Sequence, residues 1–227
     1  MFPIFMVGGV KGGVGKTLVT MALTDYFFQL GKDCFLIETD TGNDDFFKAY
    51  GDTYPCQMVD LDKVDGWIDL INLCDEHRDK IFIVNGAARS NAGTGQYGEN
   101  LRGVLKDLNR SLVTFWAINL EIDSVQLLRA YMDIMQGTTI HVVRNGFFGY
   151  ENEFGKYNDS KTRKLIEDAG GKSLFMSVLA KRVITVLYSE RKSIDLALAE
   201  MPLGNKAELL RWRGECKKMF DGAIGKL

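Results

Sequence analysis

A chain of 227 residues that is 46% hydrophobic and 26% charged carries enough apolar material for one α/β domain whose core needs neither disulfides nor metals. Its formal net charge of -2, from 28 Lys and Arg against 30 Asp and Glu, argues against a broad nucleic-acid-binding face and leaves open only a local basic patch. The four cysteines, Cys34, Cys56, Cys74 and Cys216, form no C-x-x-C pair, which excludes a zinc or iron–sulfur pattern and points to a reducing compartment. Ile4 to Gly9 is an unbroken apolar run ending in glycine, as expected of a central parallel strand. Met1 to Gly9 is too short and lacks the basic leader of a signal peptide, and no stretch is apolar enough to span a bilayer, so a cytoplasmic protein is expected.

Val19, Ala22, Leu23, Tyr26, Phe27 and Leu30 recur at helical spacing, predicting a helix over Thr17 to Leu30 that Gly31 terminates. A second strand follows over Asp33 to Glu38, a helix over Val64 to Cys74 and a third strand over Lys80 to Val84. After a polar, glycine-rich stretch the alternation resumes, with strands at Leu112 to Ile118, Thr138 to Val143 and Ser173 to Ser177. Helices are expected at Ser124 to Met135, Ser160 to Ala169, Ile194 to Glu200 and Lys206 to Phe220. Strands alternating with helices predict an α/β fold: a doubly wound, mostly parallel sheet with helices on both faces, formed by residues 1–227 as one domain.

The segment from Gly8 to Leu18 lies between the first strand and its helix, where a phosphate loop belongs. Glycines let successive backbone N–H groups turn inward at phosphate oxygens, and the helix N-terminus adds partial positive charge. Gly12, Gly13, Val14, Gly15, Lys16, Thr17 and Leu18 are the expected nucleotide contacts, with Lys16 reaching the β- and γ-phosphates and the Thr17 hydroxyl in the shell of Mg2+. The general pattern asks for glycine where Val10 stands. The run Lys11-Gly12-Gly13-Val14-Gly15-Lys16-Thr17 fits the narrower form Lys-Gly-Gly-x-Gly-Lys-Thr instead.

That form resembles the deviant Walker A motif of the ParA and MinD family of P-loop ATPases. The resemblance implies an ATP-binding molecular switch that forms a homodimer around two nucleotides, with Lys11 crossing to the partner's nucleotide. Phe35 to Asn43 resembles the family's second motif, an apolar strand followed by Asp-x-Asp-Pro-Gln. Asp40 falls on the second aspartate, 24 residues after Lys16, and by resemblance orients the attacking water beside the γ-phosphate and the metal. Glu38 stands in place of the first aspartate and Thr41 in place of the proline. The alternative for Asp40 is a solvated residue opening the Thr41-Gly42-Asn43 turn.

The third strand, Ile81 to Val84, departs from the family: it runs into Asn85 instead of aspartate. An amide attracts the magnesium shell less than a carboxylate does. Either Asn85 holds a metal-bound water while Asp40 supplies the charge, or hydrolysis is very slow and the protein is mainly a nucleotide-dependent binding module. Arg89 to Gly98 occupies the place of a phosphate-sensing switch segment and is read as a mobile loop. Its match to G-x-G-x-x-G lies too far from the strand end for dinucleotide binding.

The strand through Ile140 to Arg144 ends in Asn145, the candidate for hydrogen bonding to the adenine edge by resemblance, or else an ordinary strand-ending turn before Gly146. Leu179 to Arg182 is the expected opposite wall of that pocket. Phe147, Phe148, Tyr150, Phe154 and Tyr157 make the next loop unusually aromatic, either a partner surface or a cover for the base. Asp60, Asp62 and Asp65 do not form a calcium loop, because Ile71 occupies the bidentate Glu position. His77 and His141 show no ligand spacing.

The terminal segment has Leu209, Trp212, Cys216, Met219, Phe220 and Ile224 on one helical face and Arg211, Arg213, Lys217 and Lys218 on another. A helix packed on the sheet is preferred to a basic membrane-binding one. Lys181, Arg182, Arg191 and Lys192 read as a solvated face, with a small DNA-facing patch as the alternative. The expected ligands are ATP or ADP with Mg2+, and the expected protein partner belongs to a partition or mobilisation system. A dethiobiotin synthetase-like ligase is the less favoured alternative, since Lys11 speaks against it.

Overall fold

The computed structural model describes residues 2–9, 12–87 and 91–225. The elements run β1 (Ile4–Gly9), α1 (Lys16–Gln29), β2 (Cys34–Glu38), α2 (Asp45–Tyr50), β3 (Cys56–Met58), α3 (Val64–Glu76), β4 (Ile81–Asn85), α4 (Asn91–Val104), β5 (Leu112–Ile118), α5 (Ile122–Ile134) and β6 (Thr139–Asn145). Two 3-10 turns follow, Gly146–Phe148 and Glu151–Glu153, and then α6 (Gly155–Asn158), α7 (Lys161–Asp168), β7 (Ser173–Met176), α8 (Lys181–Ser189), α9 (Ile194–Glu200) and α10 (Leu203–Ile224).

The strands form one sheet in the order β3-β2-β4-β1-β5-β6-β7, and every described neighbouring pair is parallel. Alternate strand residues feed two cores, which is why these strands read as continuous apolar runs. Phe5, Val7, Leu36, Ile83, Phe115 and Val143 face α1, α2, α8, α9 and α10. Ile4, Met6, Ile37, Val84, Trp116 and Val142 face α3 to α7. The doubly wound α/β expectation is met. The β1 exit lies between β4 and β5, where the chain's connections diverge to the two halves of the sheet, and ligands of such sheets bind at that edge.

Three local expectations differ from the structure. The amphipathic pattern of α1 gives way to a helix buried from Leu18 to Phe27 on all sides, because β-strands, α9 and α10 enclose it. Its polar residues are satisfied internally: Asp25 takes two hydrogen bonds from Arg213, at 2.7 and 2.9 Å, and Thr24 donates to the Thr20 carbonyl. Second, α2 and the three-residue strand β3 are too short to show a period in sequence. Third, the glycine-rich stretch expected as a mobile loop is helical from Asn91 onward, while residues 88–90 lie outside the description. A Cβ on Gly93 would sit 1.9 Å from the Leu61 carbonyl oxygen, so the bare helix face permits a contact that outweighs the poor helix propensity of glycine.

Buried arginines anchor both edges of the sheet. Arg110 donates to the carbonyls of Phe2, Cys74, His77 and Lys80 and lies over the Phe82 ring, clasping the edge where the strands begin. Arg144, at the exit of β6, donates to the Ser173 and Leu174 carbonyls, to Asn158 and to Glu151, tying the aromatic loop to β7. Phe154 and Tyr157 of that loop are core residues, whereas Phe147 and Tyr150 are exposed. The α10 helix packs on α1 and β7 through Leu209, Trp212, Cys216 and Phe220, which matches the preferred reading of the terminal segment. No described helix is long and apolar enough to cross a membrane.

Candidate functional site

The chain leaves β1 and turns into α1 through Gly13 and Gly15, with φ of +83° and +97°. Side chains rarely adopt this left-handed backbone, which explains glycine at both positions. An added Cβ at Gly12 or Gly13 would meet nothing within 4 Å, so the backbone there faces open space. Gly15 is the N-cap of α1 and leaves the helix's first amides directed at a cleft. Gly12, Gly13, Gly15, Lys16, Thr17 and Asp40 line that cleft together. The side chains of Val14 and Leu18 are in the core, so contact with a ligand there falls to their backbone. Lys11 lies outside the described residues.

Burial lowers the proton affinity of Lys16, and the carboxylates of Asp40 and Glu38 act to raise it. Asp40 leaves the end of β2 and its Oδ1 accepts the amides of Gly42 and Asn43 at 3.1 and 3.0 Å. It is therefore a turn-forming residue that also lines the cleft; the two sequence readings are compatible. Glu38 is fully buried one turn of pleat earlier, and its Oε1 accepts the Asp40 amide at 2.8 Å. Burial pushes its carboxyl up to about 7.

Asn85 is the register partner of Glu38 across the β2–β4 ladder. Its Nδ2 donates to both Glu38 oxygens, at 3.0 and 3.1 Å, and its Oδ1 accepts from Thr20 Oγ1 at 2.8 Å. The amide is thus held between two strands and α1, with one edge on the cleft. Sequence reasoning named Asn85 but gave Glu38 no partner, because only the parallel register puts the two side by side.

Asn145 has a different environment from the one expected of a base-recognising residue. It is buried, its Nδ2 donates to the Val14 carbonyl at 2.9 Å, and its Oδ1 accepts the Phe147 amide at 3.1 Å. A Cβ on Gly15 would fall 2.3 Å from that Nδ2. In this position Asn145 braces the loop from behind. Beside it, Gly146, Phe147, Tyr150, Phe175 and Val178 line an open, largely apolar groove at the exits of β6 and β7. The segment expected as the opposite wall, Leu179 to Arg182, does not line this groove: Leu179 is buried and Lys181 and Arg182 are exposed elsewhere, and the wall is formed by Val178 just before it. Asn43, Gly86 and Tyr188 also line the cleft of Lys16 and Asp40 and were missed in sequence. Tyr188 comes from α8, far along the chain, and carries no local signal.

The cleft offers donors that suit a hard cation arriving with a phosphate, a hydroxyl on Thr17 and a carboxylate on Asp40, and Glu38 is buried behind them. No group of three or more His, Cys, Asp or Glu among the described residues could hold a metal alone. The basic run is largely engaged or solvated, with Lys192 ion-paired to Glu190 and Glu200.

No family profile matches the chain. Over 221 residues it is 49% identical to Protein MobD of Acidithiobacillus ferrooxidans, covering 97% of each chain. The chain belongs to the MobD family. Its fold is that of MinD: the MinD cell division protein of Aquifex aeolicus aligns with a TM-score of 0.56 over 99% of each chain at 11% identity. The MinD of Pyrococcus horikoshii complexed with Mg-ADP aligns at 0.54, over 99% of this chain and 98% of that one, at 16% identity. The Aquifex aeolicus MinC:MinD complex gives 0.57 at 10% identity, over 99% and 98% of the chains. The resemblance drawn from the Lys-Gly-Gly-x-Gly-Lys-Thr run therefore holds for the fold.

Proposed function

We propose that this protein is an ATP-binding molecular switch of the ParA/MinD type that acts in a mobilisation or partition system. The observation that carries the reading is the cradle: two left-handed glycines open onto the buried Lys16 amine and a helix N-terminus, with Asp40 on the same cleft. Gly12, Gly13, Gly15 and the first amides of α1 would hold the phosphates, Lys16 the β- and γ-oxygens, and Thr17 and Asp40 the metal shell. Mg2+ bound with the nucleotide would neutralise phosphate charge. Asp40, whose Oδ1 is oriented by two amides, would align the attacking water with its other oxygen. The groove begins at Gly146, next to the Asn145 that bonds the Val14 carbonyl of the loop, and its exposed Phe147 would offer a face to a purine ring. Lys11 would act across a homodimer interface, and a MobD-system protein would read the nucleotide state.

A second reading, a nucleotide-gated binder that does not hydrolyse, is favoured by Asn85, whose oxygen and nitrogen are both already bonded within the chain. Calorimetry with ATP and Mg2+, followed by phosphate-release and light-scattering measurements, tests both. Uptake of ATP with turnover above that of Lys16→Ala, and dimerisation lost in Lys11→Ala, is the expected outcome. Uptake without turnover selects the second reading, and no uptake of any purine nucleotide by folded protein refutes both.

A further inference from the structure

The strand-end position that in P-loop sites supplies the metal-side carboxylate is here an amide. Asn85 presents no charge, its oxygen is bonded to Thr20, and its nitrogen is clamped on a carboxylate that sequence alone did not connect to it. Glu38 is one methylene longer than aspartate, and that length lets its carboxyl reach from β2 to the Asn85 side chain of β4. The same carboxyl takes the Asp40 amide at 2.8 Å and lies close enough to Lys16 to act on its proton affinity. It has no exposed surface.

We infer that Glu38 has taken over, from the neighbouring strand, the electrostatic duty of the absent carboxylate at the end of β4, acting through Asn85 and the Asp40 amide. Glu38 is thus a positioning residue and not a ligand: it lies behind the cleft lining and orients the two groups that border it. A buried negative charge is poorly screened, and its attraction for a divalent cation falls only with the inverse of distance, so direct contact is not required. Full burial makes a carboxyl costly to keep, and here both of its oxygens accept hydrogen bonds, from Asn85 Nδ2 and from the Asp40 amide. Glutamine would present one acceptor and one donor there, so only an ionised carboxyl accepts from its neighbours through both oxygens. The arrangement makes sense if the charge is needed when a cation and a triphosphate occupy the cleft. Thr20, one helical turn beyond Lys16, completes a hydrogen-bonded path from α1 through Asn85 and Glu38 to Asp40.

This inference rests on the nucleotide reading, and the test separates the two. The affinity of a non-hydrolysable ATP analogue is measured with Mg2+ and with EDTA for the wild type, Glu38→Gln, Asn85→Asp and the exchanged double variant Glu38→Gln/Asn85→Asp. The readout is the ratio of the two affinities, which a general loosening of the fold would not move. Glu38→Gln is expected to lose at least tenfold of the magnesium-dependent gain while its metal-free affinity stays near wild type. The exchanged variant, with the carboxylate returned to β4 and the amide moved to β2, is expected to regain that ratio to within threefold. If Glu38→Gln keeps the wild-type ratio, or if the exchanged variant binds the analogue in EDTA but does not regain the ratio, the inference is overturned. Should Glu38→Gln fail to fold, the exchanged variant alone decides by the same criterion. A wild type that takes up no nucleotide overturns the nucleotide reading and this inference with it.

Discussion

Replacing Asn145 by alanine separates two roles that the residue type alone could not distinguish. Its side chain makes two hydrogen bonds, Nδ2 to the Val14 carbonyl at 2.9 Å and Oδ1 from the Phe147 amide at 3.1 Å, in a buried position behind the phosphate loop. Each such bond is worth about 1 kcal/mol net, and stranding a buried partner costs roughly 1–3 kcal/mol. Asn145→Ala should therefore lower stability by about 2–4 kcal/mol and leave the Gly13–Gly15 turn without its rear support. A phosphate cradle that must be ordered on binding loses affinity, and about 1.4–2 kcal/mol of that cost corresponds to a ten- to thirtyfold weaker Kd. The decisive assay compares ATP with inorganic tripolyphosphate, which has no base. If Asn145 braces the loop, both ligands weaken by the same factor. If ATP alone weakens and tripolyphosphate binds as before, the side chain reads the base and the bracing argument fails.

Other outcomes follow from single positions. Gly93→Ala should destabilise the protein by about 3 kcal/mol or force α4 off the β3–α3 connection, because its Cβ would lie 1.9 Å from a carbonyl oxygen; an unchanged melting temperature would contradict that packing. Arg110→Met strands four carbonyls at the edge of the sheet opposite the cleft, so it should cost about 3–5 kcal/mol, read as a melting temperature lower by about 10 °C, with nucleotide affinity unchanged. His141 is buried and accepts the Lys172 amide at Nδ1; burial first, and then the Lys172 charge, push its pKa down to about 4. The unfolded chain takes up that proton below about 6.5, while the folded protein resists until about 4, so stability falls as pH drops through this window by about 3 kcal/mol. Urea melts of wild type and His141→Gln between pH 7 and 4.5 should diverge by about 2–3 kcal/mol, and parallel curves would refute the assignment.

The strand runs, the strand–helix alternation and the phosphate loop were all legible in the sequence because each is local. A strand covered on both faces must be apolar throughout, and a loop that turns amides onto an anion must be rich in glycine. Asp40 was legible for the same reason, since its place after an apolar strand is a matter of spacing along one segment. What had to await the tertiary structure lies between segments. The parallel register of β2 and β4 put Glu38 beside Asn85, and the approach of β6 to the phosphate loop set Asn145 on the Val14 carbonyl. Close contact with Leu61 made a helix of a glycine-rich stretch that local propensity leaves unstructured, and α8 brought Tyr188 to the cleft. Local chemistry therefore determined where the glycine-rich turn and its helix lie, whereas the packing of distant strands decided which side chains support that turn, because hydrogen bonds across a sheet depend on a register that no single segment encodes.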